Sequence, residues 1–339
     1  MNHTDFSKLL SAGTIPTLLL FEGEEAYLKR KALDALRSAV LPAGFEELNE
    51  TVLTAPGADE IISAAETLPF MADRRLIIVR DERSLAGRGE AEQKLLDYFP
   101  KIPDSAVLLF WTSQKPDGRK KLYTAIKKAG GIVTFSPLKD RELTSFVISG
   151  FRDLGKKCDE RTAEYLVFTC GSDCNQLLME IGKISSYRAG SDQVTADDVT
   201  LLATPSIECT VFQMVDSVVS RQHVRTLSLL SSLLLTGVDR LYILSMLLRQ
   251  FRLLQHIKIM QYEKCGQDYM RSALGVPAFA FSQYLRQASF YTGGQLKRAV
   301  RTCLETEYAI KSGRLNQDGA VEAVILKALN SFESASGNS

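Results

Sequence analysis

The sequence predicts an α/β N-terminal domain with a mostly parallel sheet, followed by two helical domains. Strand-like apolar runs alternate with helical stretches up to about residue 140, after which strand signals cease and helical spacing continues almost to the end. Strands separated by helices are typical of an open parallel sheet covered on both faces. We expect domains at 1–140, 141–208 and 209–333, and a frayed tail at 334–339.

In the first domain, apolar runs that end at turn residues or helical stretches predict buried strands. Apolar residues at helical spacing from Tyr27 to Val40 predict a helix that ends before Pro42. Ile61, Ala65 and Leu68 indicate a second helix. The predicted strands cover residues 17–21, 75–79, 106–111 and 132–135.

The remaining sequence predicts helices alone. Short helices are expected from residue 141, over 160–169 and over 175–187, and Pro205 closes this segment. A leucine-rich stretch over 241–254 has the three-four spacing of a helix in an all-α bundle. Breaks between the bundle helices are expected at Gly237, Pro277 and the pair Gly293-Gly294.

Bulk composition excludes several classes of protein. The net charge of +1 gives no global basic field of the kind that a stand-alone DNA-binding domain has. The six cysteines are scattered, and Cys170 and Cys174 lack the second pair that a structural zinc site needs, so we expect reduced, buried thiols on a helix. The apolar run at 227–235 is too short to span a bilayer, and no signal peptide is evident, so we expect a cytoplasmic location.

The first strand–helix junction lies where a nucleotide-binding protein would carry its phosphate loop. An active loop reads GxxxxGK[ST], because the lysine contacts the phosphates and the hydroxyl holds magnesium. Residues 21–28 read FEGEEAYL, with Gly23 but neither lysine nor hydroxyl, and with the three carboxylates of Glu22, Glu24 and Glu25 where phosphates would bind. Like charges would repel ATP, so we predict no bound nucleotide, metal or other cofactor.

An α/β domain followed by a small helical lid is the layout of AAA+ nucleotide-binding proteins, here with a degenerate P-loop. The nearest approach to their magnesium-binding acidic pair is Arg80-Asp81-Glu82, which a basic residue interrupts. Motifs such as GxSxG and HExxH are absent, so we expect no intrinsic activity. One competing hypothesis is an active AAA+ ATPase such as a helicase loader, which the missing GK[ST] disfavours. A general DNA-binding replication factor is another, which the near-neutral charge disfavours.

The segment Leu68-Pro69-Phe70-Met71, hereafter the plug, is the most informative stretch. Pro69 disfavours helical geometry at Leu68, so a turn is expected between the second helix and the next strand. Turns usually lie on the surface, and aromatic and methionine side chains are enriched at interfaces. The pattern alone leaves two possibilities open: Phe70 and Met71 anchor a partner, or Phe70 packs beneath its own sheet.

Several stretches resemble the family of delta subunits of the bacterial DNA polymerase III clamp loader. Each is weakly specific alone, but their order and spacing span nearly the whole chain. They are LLLFEGEEAYL at 18–28, TLPFMADRRL at 67–76, GSD at 171–173 with EIGK at 180–183, and VFQMVD, LRQFR and IKSG at 211–216, 248–252 and 310–313.

The resemblance implies a replication protein without an ATPase site of its own, within a nucleotidyltransferase holoenzyme. Its helical collar would join a ring of ATPase motor subunits and a delta-prime subunit, and its plug would bind the sliding clamp and hold the ring open over primer–template DNA. The family's two wedge residues match Phe70 and Met71, with Leu68 as a supporting contact and Pro69 shaping the turn. Methionine departs from the aromatic residue common at the second position.

A basic segment precedes the last predicted strand. Arg119, Lys120 and Lys121 follow a Pro-Asp-Gly turn after Lys115. They suit contacts with the DNA backbone inside a clamp loader, but a solvated helix face explains the same pattern.

Overall fold

The computed structural model describes residues 1–80, 90–112, 116–220, 222–276 and 278–333. The chain divides into two compact units, Met1–Leu138 and Lys139–Ser339. The further division of the second part near residue 208 stays a prediction. The expected tail at 334–339 lies outside the described residues, as do Asp81, Glu82, Lys115 and Pro277.

The first unit is a parallel sheet with helices on both faces, as predicted. Its elements are α1 (His3–Ser11), β1 (Leu18–Glu22), α2 (Ala26–Val40), α3 (Glu46–Asn49), β2 (Glu50–Thr54), α4 (Ala58–Glu66), β3 (Arg75–Arg80), α5 (Glu90–Tyr98), β4 (Ala106–Trp111), α6 (Lys121–Lys128) and β5 (Ile132–Thr134).

The sheet order is β2-β3-β4-β1-β5, and every pair is parallel. Leu20, Ile77 and Phe110 belong to the apolar core that includes residues of α4, α5 and α6. On the opposite face, Phe21 contacts Phe6 of α1 edge-on, with ring centroids 5.2 Å apart. Both faces of the central strands are buried, which explains why they read as continuous apolar runs.

The register of β2 against β3 positions the plug. Glu50, the first residue of β2, pairs with Leu76 near the start of β3. Because the strands are parallel, the segments that precede them enter the sheet at the same edge. The turn from α4 to β3 therefore lies beside the single helical turn α3.

The described residues of the second unit are helical apart from the short parallel pair β6 (Lys157–Cys158) and β7 (Gln193–Val194), which the prediction of helices alone missed. Its longest helix, α13, buries a stripe that includes Leu244, Leu247 and Phe251 in the larger apolar core. Its helices are α7 (Arg141–Asp153), α8 (Glu160–Cys170), α9 (Cys174–Tyr187), α10 (Ala196–Leu202), α11 (Ile207–Val219), α12 (His223–Leu235), α13 (Arg240–Tyr262), α14 (Gln267–Leu274), α15 (Ala278–Ser289), α16 (Gly293–Lys311) and α17 (Ala320–Glu333).

The structure corrects several predictions. Helix α4 ends at Glu66, so Leu68 lies outside it, although the spacing of Leu68 from Ile61 and Ala65 predicted that all three belong to one helix. The expected break lies at 290–292, directly before Gly293 and Gly294, which are the first residues of α16 because Thr292 caps that helix in a capping box with Gln295. Strand β2 was not predicted, since this edge strand is only half-buried and has no apolar run. None of the described helices is long and apolar enough to cross a bilayer.

Candidate functional site

The plug occupies the turn between α4 and β3 and faces outward. Leu68 is 82% exposed, Phe70 52% and Met71 72%, while Pro69 is half-buried. Thr67 has extended geometry, with φ −64° and ψ 128°, so the helix ends at Glu66, three residues before Pro69. Phe70 therefore does not pack beneath its own sheet, which was one of the two possibilities that the sequence pattern leaves open.

A buried side chain from a neighbouring segment holds the plug backbone. Asn49, the last residue of α3, is fully buried. Its Oδ1 accepts a hydrogen bond of 2.7 Å from the Phe70 backbone N–H, and its Nδ2 donates to the Phe70 carbonyl oxygen at 2.9 Å. Nδ2 also donates to the Phe45 carbonyl oxygen at 3.0 Å. One amide thus satisfies both backbone groups of Phe70 and ties them to the start of α3.

The plug backbone is strained where it turns back towards the sheet. Met71 has a φ of +49°, in the left-handed region that side chains other than glycine seldom adopt. Such a conformation costs on the order of 1 kcal/mol, and surrounding contacts must impose it. The two hydrogen bonds between Asn49 and Phe70, one in each direction, fix the residue that precedes Met71. The exposed Met71 side chain is therefore held out by a constrained turn.

A buried arginine supports the base of the turn. The Arg75 guanidinium donates to the Thr67 carbonyl oxygen at 3.3 Å and to Thr51 Oγ1 at 2.8 Å. Burial lowers the pKa of Arg75 from its ordinary value. Arg75 links the end of α4 to strand β2, so both sides of the turn are attached to the sheet.

Sequence reasoning missed two apolar residues of a neighbouring segment: Phe45, whose ring adjoins that of Phe70, and Leu48 three residues further along. The Phe45 and Phe70 rings lie 6.1 Å apart between centroids, with planes inclined by 57°. Leu48, on the same helical turn, is 58% exposed, and Phe45 is 36% exposed. The available signal was the run GFEELNE at 44–50, in which two large apolar residues interrupt an acidic stretch.

The degenerate phosphate loop is closed by contacts within the sheet. Gly23 has a φ of +110°, and a Cβ there would lie 2.2 Å from the Phe135 carbonyl oxygen. That oxygen accepts a hydrogen bond of 3.2 Å from the Glu25 N–H, and the Phe135 N–H donates to the Glu22 carbonyl oxygen at 2.8 Å. The Glu25 carboxylate caps α2 by accepting from the Tyr27 N–H at 3.0 Å. A carboxylate thus occupies the helix terminus at which a phosphate would bind.

The other charged groups around this loop serve the fold. Glu22 accepts hydrogen bonds from Thr134 Oγ1 at 2.9 Å and from the Tyr123 hydroxyl at 3.3 Å, so it points away from the start of α2, whereas Glu24 is exposed. The Lys29 ammonium donates to the Thr112 carbonyl oxygen at 2.9 Å and lies 5.3 Å from the Trp111 ring centroid. This lysine holds α2 against β4.

The described part of the basic segment lies at the start of α6, where Arg119 and Lys121 are exposed and Lys120 is half-buried. Arg119 pairs with Asp117 at 3.2 Å, and the Asp117 carboxylate also accepts from the Arg119 backbone N–H at 3.0 Å, which lowers the pKa of Asp117. Lys120 is the N-cap residue of α6, and Lys121 is the first residue of the helix. Cations are unfavourable at the positive end of a helix dipole. The start of α6 therefore combines the backbone N–H groups of the first helical turn with nearby basic side chains, and both suit an anion.

The cysteine pair is not on one helix, which corrects the prediction. Cys170 is the last residue of α8, and Cys174 is the first of α9. Both thiols are buried and neither forms a disulfide, and burial raises the pKa of Cys170 to about 12. Across the described ranges, no three histidine, cysteine, aspartate or glutamate side chains are grouped to hold a metal ion.

Family models match this chain in both units. Residues 19–136 match the family described as DNA polymerase III, delta subunit, and residues 208–328 match the DNA polymerase III delta subunit, C-terminal domain. The chain is 26% identical to DNA polymerase III subunit delta of Bacillus subtilis, over 97% of each chain. It is 24% identical to a probable DNA polymerase III subunit delta of Aquifex aeolicus, over 74% of this chain and 73% of that protein.

A solved structure resembles the whole chain. The Bacillus subtilis DNA clamp loader delta protein superposes with a TM-score of 0.58 and 26% identity, over 97% of this chain and 99% of that one. A parallel α/β unit with a degenerate phosphate loop, followed by a helical region, is the layout of an AAA+-like protein. Within that class, the chain belongs to the delta-subunit family of the DNA polymerase III clamp loader. The family assignment does not favour the helicase-loader alternative.

Proposed function

We propose that this chain binds the sliding clamp through Leu68, Pro69, Phe70 and Met71 and opens the clamp, or holds it open, for loading onto primed DNA. The observation that carries the proposal is the exposure of Phe70 and Met71 on a backbone that the buried Asn49 fixes. An anchor of this kind loses little conformational freedom when it binds, because its turn is already ordered. Phe70 and Met71 enter the clamp pocket, and Leu68 adds contact area.

The direct test is co-purification of the full-length chain with the sliding clamp of the same organism. We expect a complex that survives gel filtration in the absence of any nucleotide, because the contact is apolar and needs no bound phosphate. A titration that detects no complex at micromolar concentrations of both proteins would overturn the proposal.

The second unit contributes the collar of the assembled loader in this proposal. Its partners there are the ATPase motor subunits and a delta-prime subunit, in the cytoplasm. Gln250 and Phe251 of α13 are buried and serve the helical core, whereas Arg249 pairs with Glu208 and Arg252 is exposed. The exposed pair of arginines is therefore better placed than Gln250 and Phe251 to face another subunit.

We further propose that the chain has no ATPase activity. The Gly23 turn is packed against Phe135, and Glu25 already caps α2, so a triphosphate would displace a carboxylate and meet like charge. We expect no saturable binding of a fluorescent ATP analogue up to millimolar concentration, with an active AAA+ subunit as the positive control. Saturable binding in the micromolar range would contradict the expectation.

Primer–template DNA is a further partner in the assembled complex. The support is the position of the exposed Lys121 in the first turn of α6, where the helix dipole disfavours a cation unless an anion binds. We expect the Arg119→Glu, Lys120→Glu double variant to weaken DNA binding by the assembled loader roughly tenfold at low salt. The slope of the logarithm of the binding constant against the logarithm of the salt concentration should become shallower, by an amount that corresponds to about two phosphate contacts.

A charge reversal away from this helix terminus controls for net charge. Lys127 and Lys128 end the same helix, where cations suit the dipole, and both are exposed. Reversal of these two should change DNA binding less than reversal of Arg119 and Lys120. Equal effects of the two double variants, or no effect of either, would assign the segment to a solvated helix face.

A further inference from the structure

We infer that the clamp-binding surface extends beyond the plug to a second apolar element, formed by Phe45 and Leu48. The inference rests on the proposed function, since it assigns both elements to one partner. The second element lies 20 residues before the plug in sequence, and nothing in the family resemblance marks it. It makes the contact a two-part surface on neighbouring turns rather than a single wedge.

The first argument is proximity. The Phe45 ring lies 6.1 Å from the Phe70 ring between centroids, and 36% of Phe45 is exposed. Apolar groups in contact approach within about 4 Å of one another. A partner that covers the exposed part of the Phe70 ring must therefore pass over Phe45 as well, and the two rings form one continuous apolar surface.

The second argument is rigidity. Asn49 donates to the carbonyl oxygens of both Phe45 and Phe70, so one buried side chain sets the spacing of the two elements. The next residue, Glu50, receives two hydrogen bonds of 2.7 Å from the Arg37 guanidinium. The turn that carries Leu48 is thus attached at its end to both α2 and the plug. Two elements fixed in this way can fill a pocket without an ordering cost.

The third argument is the absence of an internal role for Leu48. Its side chain is 58% exposed on a turn of only four residues, Glu46–Asn49, between acidic neighbours. Solubility alone would favour a polar residue at this position. Exposed apolar residues that adjoin one another, rimmed by charge, are typical of a protein–protein contact. Leu48 follows Phe45 by three residues, a spacing at which side chains on a helical turn are neighbours, so we take it to extend the apolar surface along α3, next to Glu46 and Glu47.

Two single variants of the full-length chain test the inference against the purified sliding clamp. We expect Leu48→Ala and Phe45→Ala each to raise the Kd for the clamp roughly tenfold. Leu154→Ala is the matched control, because Leu154 is a similarly exposed leucine in the second unit and should leave the Kd unchanged. In a double-mutant cycle, the effects of Phe45→Ala and Phe70→Ala should not add, because the two rings share one surface.

The outcomes separate this inference from the proposed function. If the Phe70→Ala, Met71→Ala variant binds the clamp as the unchanged chain does, the proposed function itself fails. If that variant loses binding while Leu48→Ala and Phe45→Ala retain the original Kd, only the second element is refuted. Thermal unfolding of each variant shows whether it is folded. Should Phe45→Ala be destabilised, Leu48→Ala decides the question.

Discussion

Replacing Phe70 and Met71 together by alanine should weaken binding of the full-length chain to the sliding clamp by about a hundredfold or more. Complete burial of an aromatic and a methionine side chain contributes roughly 3–6 kcal/mol to a contact, and each 1.4 kcal/mol corresponds to about tenfold in Kd. The measurement is a titration of labelled clamp with the wild-type chain and with the variant.

The same double variant should remain folded. Both side chains are more than half exposed, and surface substitutions usually change the free energy of unfolding by less than about 0.5 kcal/mol. Alanine at position 71 inherits the positive φ that methionine already tolerates, so no new strain arises. The unfolding midpoint should therefore stay close to that of the wild-type chain.

Matched controls are available in the second unit. Met179 and Leu154 are exposed methionine and leucine residues, and their replacement by alanine should not change the Kd for the clamp. Clamp binding that persists in the Phe70→Ala, Met71→Ala variant would show that the exposed turn has another purpose. A loss of binding in the Met179→Ala and Leu154→Ala variants as well would indicate a nonspecific apolar effect.

The strands of the sheet were predictable where burial on both faces produces a continuous apolar run in the sequence. Strands β1, β3 and β4 lie in the middle of a parallel sheet, so their sequences are continuous apolar runs. Strand β2 lies at the edge, pairs on one side alone, and reads Glu-Thr-Val-Leu-Thr without such a run. Its existence depends on pairing with β3, which is a non-local contact that periodicity does not encode.

The site was predictable in part for a similar reason. Leu68, Pro69, Phe70 and Met71 are adjacent in sequence, so a proline and two large apolar residues were visible together. Their support was not visible, because Asn49 is 21 residues away from Phe70 and reads as an ordinary polar residue in an acidic stretch. Only the parallel register, with Glu50 opposite Leu76, brings Asn49 to the plug.

The phosphate loop illustrates the same limit. The missing lysine and hydroxyl were readable at residues 21–28, and they predicted an inactive loop. The sequence did not reveal that Phe135, the residue after strand β5, closes the loop through its carbonyl oxygen. It also suggested that Glu22 faces the phosphate position, whereas the pairing of β1 with β5 directs Glu22 to Thr134.

Substitution of Asn49 is expected to have the second-largest effect, on both stability and clamp binding. Asn49→Ala removes three hydrogen bonds and leaves the Phe70 N–H and the Phe70 and Phe45 carbonyl oxygens without this partner. Unsatisfied groups of this kind cost on the order of 1–3 kcal/mol of unfolding free energy. The plug then loses its fixed geometry, so we expect the Kd for the clamp to rise about tenfold although Phe70 and Met71 are unchanged.

A second substitution at the same position separates hydrogen bonding from side-chain shape. Asn49→Asp keeps the size of the side chain, and its carboxylate can still accept from the Phe70 N–H. It cannot donate to the two carbonyl oxygens, and burial raises the pKa of the new carboxyl. A raised pKa in the folded state means that the penalty is greatest at neutral pH and declines as the pH falls and the carboxyl becomes protonated. The stability difference from the wild-type chain should therefore shrink on acidification.

The role of Asn49 as a positioning residue requires a control that lowers stability without touching the plug. Ile126→Val in the buried core beneath α6 should cost about 0.5–1.5 kcal/mol of unfolding free energy. At a temperature well below either midpoint, Ile126→Val should bind the clamp with the original Kd, whereas Asn49→Ala should bind more weakly. If Asn49 positions the plug, the plug of Asn49→Ala is disordered and loses conformational entropy when it binds the clamp, whereas the plug of Ile126→Val stays ordered. Equal clamp affinity of the two variants would show that Asn49 only stabilises the fold.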